Sequence, residues 1–188
     1  MDSAKLVVGV TGMAGAGKSI IVKIAAQKGY EIVVMGDEVR EEAKRRSLMP
    51  TPESLGKIML ELRQAHGETV IAKRCIAKIE KTQKMKIVID GIRSLSEAEE
   101  FKNSFSTFSL IAIHSSPETR FRRLYNRQRS DDSRNWQVFR ERDLRELSVG
   151  LGNAIAMAEY MVVNEGTLEF VKAQAHEILK KVESKWMK

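Results

Sequence analysis

Residues Gly12 to Ser19, with the sequence GMAGAGKS, fit the spacing G-x-x-x-x-G-K-[ST]. Loops of this pattern bind phosphate, because glycines let backbone amides approach phosphate oxygens that a side chain would block. Lys18 adds a positive charge for the β- and γ-phosphates, and the Ser19 hydroxyl is the usual ligand of Mg²⁺ in such loops. The pattern therefore predicts a site for a nucleoside triphosphate with Mg²⁺. The residues predicted to hold the nucleotide here are Gly12, Met13, Ala14, Gly15, Ala16, Gly17, Lys18 and Ser19.

The surroundings of this loop match those in which the pattern binds phosphate. An apolar, strand-like stretch precedes it, and a helix-like stretch that begins near Gly17 brings its positive end to the phosphates. The N/T-K-x-D motif by which GTPases recognise guanine is absent, and 188 residues leave no room for the helical lid domain of a large ring ATPase. The remaining class is a small ATP-dependent transferase.

Charged residues follow the second and third predicted strands. Asp37 and Arg40 lie one helical turn apart, so they face the same way. Asp90 closes the third strand and is predicted to share Mg²⁺ with Ser19, while Arg93 follows it. The alternative interpretations are a turn cap for Asp90 and ordinary surface cations for the two arginines.

The segment from Arg120 to Arg145, RFRRLYNRQRSDDSRNWQVFRERDLR, has nine arginines and no lysine. Arginine is a planar, bidentate and permanently charged donor, which suits it to neutralise a phosphoryl group in transfer. Two alternatives stay open. One is a solvated helix face with acidic partners. The other is a nucleic-acid surface, in which arginines alternate with the aromatic residues Phe121, Tyr125, Trp136 and Phe139.

Composition restricts the protein class without selecting a substrate. Hydrophobic residues make up 43% and charged residues 30%, as in an ordinary globular protein, and the net charge of +7 attracts polyanions of every kind. No apolar run approaches the roughly 18 residues of a membrane span. The opening MDSAKLVVGV lacks the pattern of a secretory signal, and a lone cysteine, Cys75, is predicted to be an apolar filler. We therefore expect a cytoplasmic protein without a membrane partner.

Alternating strands and helices must position these residues. Short, β-branched and almost continuously apolar stretches predict buried parallel strands, and helix-like stretches separate them. The predicted strands are 5–10, 30–35, 86–90, 108–114 and 160–164. The predicted helices are 17–28, 37–47, 53–82 with a break near Gly67, 95–104, 117–148 with interruptions, and 167–186. The fold predicted for residues 1–188 is a single α/β domain, a doubly wound five-stranded parallel sheet. Ligands bind such sheets beyond the carboxyl ends of the strands.

Together these motifs resemble the nucleoside-monophosphate-kinase-like branch of P-loop kinases, and within it the archaeal dephospho-CoA-kinase-like ATPases. VGVTGMAGAGKS is similar to the opening of dephospho-CoA kinases and adenylate kinases. MGDEVR resembles the adenylate-kinase segment whose arginine holds the acceptor phosphate, which implies that role for Arg40. DGIRS resembles the DGFPR box of the same family, without its proline, and implies an acceptor-binding role for Arg93.

The later motifs extend the resemblance over most of the chain. RQRSDD followed by FRERD resembles an arginine-rich lid, placed at about 117–148, and implicates Arg127, Arg129, Arg140 and Arg142. VVNEGTLEF is similar to the turn near the base-binding end, with Asn164 in the family position. The acidic-proline segment of dephospho-CoA kinases is not apparent, and the lid has no zinc-binding cysteines.

The resemblance implies an ATP- and Mg²⁺-dependent kinase with a small phosphorylated acceptor. A nucleoside monophosphate is the leading acceptor, and dephospho-CoA is the next. The alternative is a nucleotide-dependent regulator or RNA-associated ATPase without a small acceptor. The residues assigned to the acceptor are Asp37, Arg40 and Arg93, and those assigned to catalysis are Lys18, Arg123, Arg127, Arg129 and Arg140.

Overall fold

A five-stranded, all-parallel sheet forms the centre of the computed structural model, which describes residues 5–127 and 134–187. Its strand order is β2-β3-β1-β4-β5. The strands are β1 (Leu6–Thr11), β2 (Glu31–Val34), β3 (Lys86–Ile92), β4 (Phe108–His114) and β5 (Tyr160–Val163). Each predicted strand is therefore confirmed, with bounds that differ by at most two residues.

Helices cover both faces of the sheet, which explains the nearly continuous apolar sequence of its strands. Side chains of β1 alternate between the faces: Val7 belongs to one apolar cluster, and Val8 to the other. The first cluster includes residues of α2 to α5, and the second joins α1 to α9. The helices are α1 (Lys18–Gln27), α2 (Met35–Arg45), α3 (Pro52–His66), α4 (Val70–Lys81), α5 (Leu95–Ser104), α6 (Pro117–Arg127), α7 (Trp136–Ser148), α8 (Leu151–Ala156) and α9 (Leu168–Trp186).

Glycines account for two features of the helical layer. Gly67 ends α3 with a φ of 89°, so the predicted helix over 53–82 divides there into α3 and α4. Helix α8 is too short for a periodic pattern and was not predicted; it begins after Gly150, whose φ is 103°.

Among the described residues, no helix combines the length and the apolar character that crossing a bilayer requires.

The carboxyl ends of the strands bring distant segments of the chain to one edge of the sheet. The glycine loop follows β1, the α2 segment with Arg40 follows β2, and Arg93 follows β3. Ser115 and Asn164 come directly after β4 and β5. Because parallel strands end at the same edge, residues more than 140 positions apart, such as Ala16 and Asn164, come into contact there.

Cys75 lies on α4 with no solvent exposure, and it packs in the first apolar cluster as predicted. Burial, reinforced by the nearby Glu38 carboxylate, raises the pKa of its thiol to about 12. Because only the thiolate reacts, alkylation of the folded protein by iodoacetamide at about pH 8 is expected to be at least about 100-fold slower than in denaturant. Mass spectrometry over time measures both rates, and similar rates would contradict the burial of Cys75.

Candidate active site

The glycine loop after β1 depends on backbone conformations that other residues rarely adopt. Gly12 has a φ of 146° and Gly17 a φ of 109°. A Cβ atom on Gly12 would collide with the carbonyl oxygen of Ile113, and one on Gly17 with the side-chain amide of Asn164. Gly17 also precedes α1 and provides no side-chain cap, so the first amides of that helix remain free of a side-chain acceptor. The loop therefore has the backbone geometry of an anion site at a helix N-terminus.

Replacing Gly17 with alanine is expected to weaken ADP binding at least about tenfold, because the added methyl group both strains the backbone and displaces Asn164. Isothermal titration calorimetry measures the affinity. Gly29→Ala is the matched control: Gly29 has a φ of 84°, but no atom lies within 4 Å of the position of its Cβ. It tests backbone strain without a collision. Equal ADP affinities of the two variants would contradict the expectation that the collision with Asn164 weakens nucleotide binding.

Lys18 lies across the loop and contacts its backbone. Its Nζ donates hydrogen bonds to the carbonyl oxygens of Gly12 at 2.6 Å and Met13 at 3.2 Å. Burial lowers the pKa of the amine to about 8, although the Asp90 carboxylate opposes this shift. An anion placed against the amine would favour its charged form, so the site is electrostatically prepared for phosphate.

Asp90 and Ser19 line the same cleft as Lys18. The Oδ1 atom of Asp90 is buried and has no hydrogen-bond partner. A partnerless carboxylate oxygen beside a phosphate loop suits Mg²⁺, which binds through one or two protein oxygens together with substrate phosphates. Among the described residues, no cluster of three or more acidic, histidine or cysteine side chains could hold a metal alone. The residues present therefore fit a Mg²⁺ ion that is bound together with the nucleotide.

Asn164 supports the loop from the end of β5. Its side chain is buried, and its Nδ2 donates to the carbonyl oxygen of Ala16 at 2.8 Å. Arg123, on α6, donates to the Oδ1 of Asn164 at 3.1 Å and to the Oγ of Ser115 at 2.8 Å. This network connects the loop to the ends of β4 and β5. Both Arg123 and Asn164 line the cleft.

Arg120 connects the loop to α7. It is only 3% exposed, and its Nη1 donates to the carbonyl oxygen of Ala14 at 3.1 Å. The same guanidinium forms a bidentate pair with Asp143, at 2.9 and 2.5 Å, and lies 5.0 Å from the ring centre of Phe139. This clamp fixes the rotation of α7 relative to the loop. The role of Arg120 could not be predicted from the sequence, since no local pattern pairs it with an aspartate 23 positions away.

The inner face of α7 contributes charge to the cleft through Arg142 and Glu146. Glu146 is buried and forms an ion pair with Arg93 from the end of β3. Burial opposes the charge on Arg93, but the Glu146 carboxylate outweighs it and raises the pKa of the guanidinium. The pair therefore joins α7 to β3 in its ionised form.

The cleft that is lined by the glycine loop, Lys18 and Asp90 is called the phosphate cleft below, and a second cavity adjoins it. Its apolar walls come from Met35, Val39, Leu55, Met59 and Ile71, and it also contains the buried ion pair of Arg63 and Glu97, 2.6 Å apart. The residues that line both this side pocket and the cleft are Gly36, Arg40, Gly91, Arg93, Arg142 and Glu146. The two spaces thus share a wall that carries three arginines and one carboxylate.

The chain is similar to known proteins in sequence and in structure. A family model described as an AAA domain matches residues 11–140. The UPF0200 protein of Hyperthermus butylicus is 46% identical over 178 residues, which cover 95% of each chain. The UPF0200 protein MJ1399 of Methanocaldococcus jannaschii is 48% identical over 179 residues, or 94% of this chain and 90% of that protein. The chain belongs to the AAA-domain and UPF0200 families.

Several solved structures share the fold of this UPF0200 chain. TT1252 from Thermus thermophilus gives a TM-score of 0.68 at 15% identity, over 95% of this chain and 97% of that one. A shikimate kinase from Bacteroides thetaiotaomicron gives 0.60 at 14% identity, over 95% and 98%. A gluconokinase from Sinorhizobium meliloti gives 0.58 at 14% identity, over 100% and 98%. These similarities confirm the predicted α/β fold of the nucleotide-kinase type.

The sequence-predicted residues of the UPF0200 chain occupy different places in this arrangement. Arg40 lines both cavities, whereas Asp37 is exposed, pairs with Arg40 at 2.6 Å, and lines neither. Arg127 lines the cleft, and Arg129 lies outside the described residues. Arg140 is exposed on α7 and is not among the described residues that line either cavity. Most of the predicted site residues that the structure describes lie in the loop or line the cleft, but Asp37 and Arg140 do not.

Proposed function

We propose that this protein transfers the γ-phosphoryl group of Mg²⁺·ATP to a small phosphorylated acceptor, a nucleoside monophosphate or dephospho-CoA. One observation carries the proposal: the phosphate cleft and the side pocket share a wall that includes Arg40, Arg93 and Arg142. Phosphoryl transfer requires a donor and an acceptor side by side, with cations at the group that moves between them. Two neighbours in fold are named shikimate kinase and gluconokinase, which supports a kinase without indicating the acceptor.

On the donor side, the loop amides and Lys18 would hold the β- and γ-phosphates. Ser19 and Asp90 would hold Mg²⁺, which when bound neutralises phosphate charge. Arg123 and Arg127 of α6 line the cleft, and we add Arg142 of α7 to these two as a residue that acts on the transferred group. Arg140 is exposed and is not among the described residues that line either cavity, so we propose no catalytic role for it.

On the acceptor side, Arg40 and Arg93 would bind an anionic group near the cleft, and the apolar wall of the side pocket would hold a ring. Arg40 is about half exposed, and its partner Asp37 is equally accessible, so an incoming phosphate can compete for the guanidinium. The apolar residues of the pocket offer the hydrophobic contact that a nucleobase needs.

Replacing Arg40 with alanine is expected to raise the KM for the acceptor about tenfold while the KM for ATP stays the same, because the lost charge-assisted contact serves only one substrate. Arg45→Ala is the control: Arg45 lies on the same helix, is exposed and pairs with Glu42, but lines neither cavity. Steady-state kinetics with each substrate varied in turn measure both constants. A similar rise in both KM values would contradict an acceptor role.

The decisive experiment offers ATP with AMP, CMP, GMP, UMP, dephospho-CoA or single-stranded RNA and identifies products by phosphorus-31 NMR. A phosphorylated small product supports the kinase. ATP hydrolysis that is stimulated by RNA alone, with a steep salt dependence, would instead support the RNA-associated ATPase.

The aromatic residues on which the RNA-associated alternative depends pack on one another. The ring centres of Phe121 and Trp136 are 5.1 Å apart, and those of Phe121 and Phe139 are 5.4 Å apart. This packing favours a structural role for them.

A further inference from the structure

Glu146 lies in the wall that the phosphate cleft shares with the side pocket. Among the described residues, it is the one carboxylate that lines both spaces. It projects from α7, whose rotation is fixed by the Arg120–Asp143 clamp one turn earlier. A group at this junction is next to both the phosphoryl donor and the acceptor of the proposed reaction.

Only half of the Glu146 carboxylate is used within the protein. Its Oε1 accepts a hydrogen bond from Arg93, while its Oε2 is buried and has no hydrogen-bond partner. Glu97, which also lines the side pocket, differs in this respect. Its Oε1 accepts from Arg63 at 2.6 Å and its Oε2 from the Arg93 amide at 2.9 Å. Buried acceptors are nearly always paired, so the unpaired Oε2 indicates a donor that arrives with a ligand.

The charges around Glu146 determine its protonation. Burial by itself would raise the pKa of the carboxyl group, but the Arg93 guanidinium outweighs this effect. Arg142 and Lys18 act in the same direction, and the pKa is held below its ordinary value. At neutral pH the group is therefore an anion that accepts hydrogen bonds and donates none.

We propose that Glu146 is the general base of the reaction, and that the attacking atom is a hydroxyl oxygen of the acceptor rather than a phosphate oxygen. This inference rests on the proposed function and narrows it. A hydroxyl group can donate a hydrogen bond to Oε2, whereas an acceptor phosphate there would place two anions in contact. Both acceptors considered above carry hydroxyl groups, so the carboxylate selects the attacking atom rather than the molecule: it favours transfer to a hydroxyl, with the phosphate groups of the acceptor held elsewhere by arginines.

The proposed step transfers the γ-phosphoryl group of ATP to the hydroxyl oxygen of the acceptor. The hydroxyl oxygen attacks the γ-phosphorus of ATP, and its proton passes to Oε2 of Glu146. The bond between the γ-phosphorus and the β,γ-bridging oxygen breaks, and its electron pair leaves on the β-phosphate of ADP beside Lys18. The products are a phosphomonoester, ADP and one proton, which Glu146 then releases to solvent.

The first test uses one acceptor that offers both nucleophiles. AMP can be phosphorylated on its phosphate, which yields ADP with a new phosphoanhydride, or on a ribose hydroxyl, which yields a bisphosphate with a new phosphomonoester. Dephospho-CoA is tested in parallel, and phosphorus-31 NMR distinguishes the two bond types. A phosphomonoester product is expected. A phosphoanhydride as the main product would overturn this inference and leave the proposed function intact, whereas no transfer to any acceptor would overturn both.

The second test replaces Glu146 with glutamine, which keeps its shape and removes the base. With the best hydroxyl acceptor, kcat is expected to fall at least about 100-fold while the acceptor KM changes little. Glu141→Gln is the control, because Glu141 is exposed on the same helix and accepts only from Gln137 at 3.2 Å among the described contacts. ADP affinity and thermal unfolding establish that each variant is folded. A kcat within about tenfold of the parent would overturn the role of Glu146.

A third variant tests the proposal even if Glu146→Gln does not fold. Glu146→Asp keeps the negative charge beside Arg93 but withdraws the carboxylate by one methylene group. We expect it to remain folded and to lose at least about tenfold in kcat, because proton transfer depends on distance. Parental kcat in this variant would also contradict the proposal, since a carboxylate that acts only as an ionic partner of Arg93 tolerates such a change.

Discussion

Lys18→Ala is expected to lower kcat at least about 100-fold, because the amine acts on charge that develops as the γ-phosphoryl group leaves. In the structure the Nζ atom already lies within the loop, 2.6 Å from the carbonyl oxygen of Gly12. It therefore needs no large rearrangement to reach the phosphates. Turnover is measured by ADP release at saturating ATP, with the acceptor that the phosphorus-31 NMR experiment identifies.

In Lys18→Ala, kcat is expected to fall while the free energy of unfolding is not reduced. Burial lowers the pKa of Lys18 to about 8, so the fold disfavours its charged form. Removing the amine should therefore not reduce the free energy of unfolding. Lys23→Ala is the matched control, since Lys23 lies exposed on the same helix and does not line the cleft. Turnover of Lys18→Ala within tenfold of the parent would refute the proposed mechanism.

Asp143→Ala is expected to lower the free energy of unfolding by about 3–5 kcal/mol, because it leaves the buried Arg120 guanidinium without its counter-charge. Arg120 is 3% exposed and Asp143 is 5% exposed, so neither group can regain water without moving α6 or α7. Arg120 also donates a hydrogen bond to the carbonyl oxygen of Ala14 in the phosphate loop, so the pair helps to position that loop. A loss of ADP affinity should accompany the loss of stability.

Urea unfolding of single and double variants tests this clamp. Arg120→Met with Asp143→Leu replaces both charges by apolar groups of similar size, and it should recover most of the stability that Asp143→Ala loses. The exposed Glu177–Lys181 pair on α9 gives a control, because Glu177→Ala is expected to change stability little. A loss below about 1 kcal/mol in Asp143→Ala would show that water or another residue compensates Arg120.

Local sequence determined the phosphate loop and the architecture around it. The glycine spacing and Lys18 specify an anion site through backbone conformation and charge that a segment of eight residues carries within itself. The central strands β1, β3 and β4 were predictable because a buried parallel strand is apolar on both faces, which is visible in the sequence without knowledge of its neighbours. The edge strands β2 and β5 are equally apolar, but the prediction that they are buried was wrong: Ile32, Met161 and Val163 are exposed. The helix bounds followed from the same alternation, apart from the short α8.

Tertiary structure alone decided which charged residues meet at the site. Arg140 and Arg142 belong to one motif, yet Arg142 lines the cleft and Arg140 is exposed, because Phe139, Asp143 and Glu146 are the buried face of α7. The rotation of that helix is set by its packing and by the clamp to Arg120, neither of which leaves a local signal. Arginines close in sequence differ little in type, so only their contacts separate a phosphate ligand from a surface cation. Glu146 is likewise one of 25 Asp and Glu residues, and nothing in its local sequence distinguishes it. It is a candidate base because the fold places it in the wall between the two cavities.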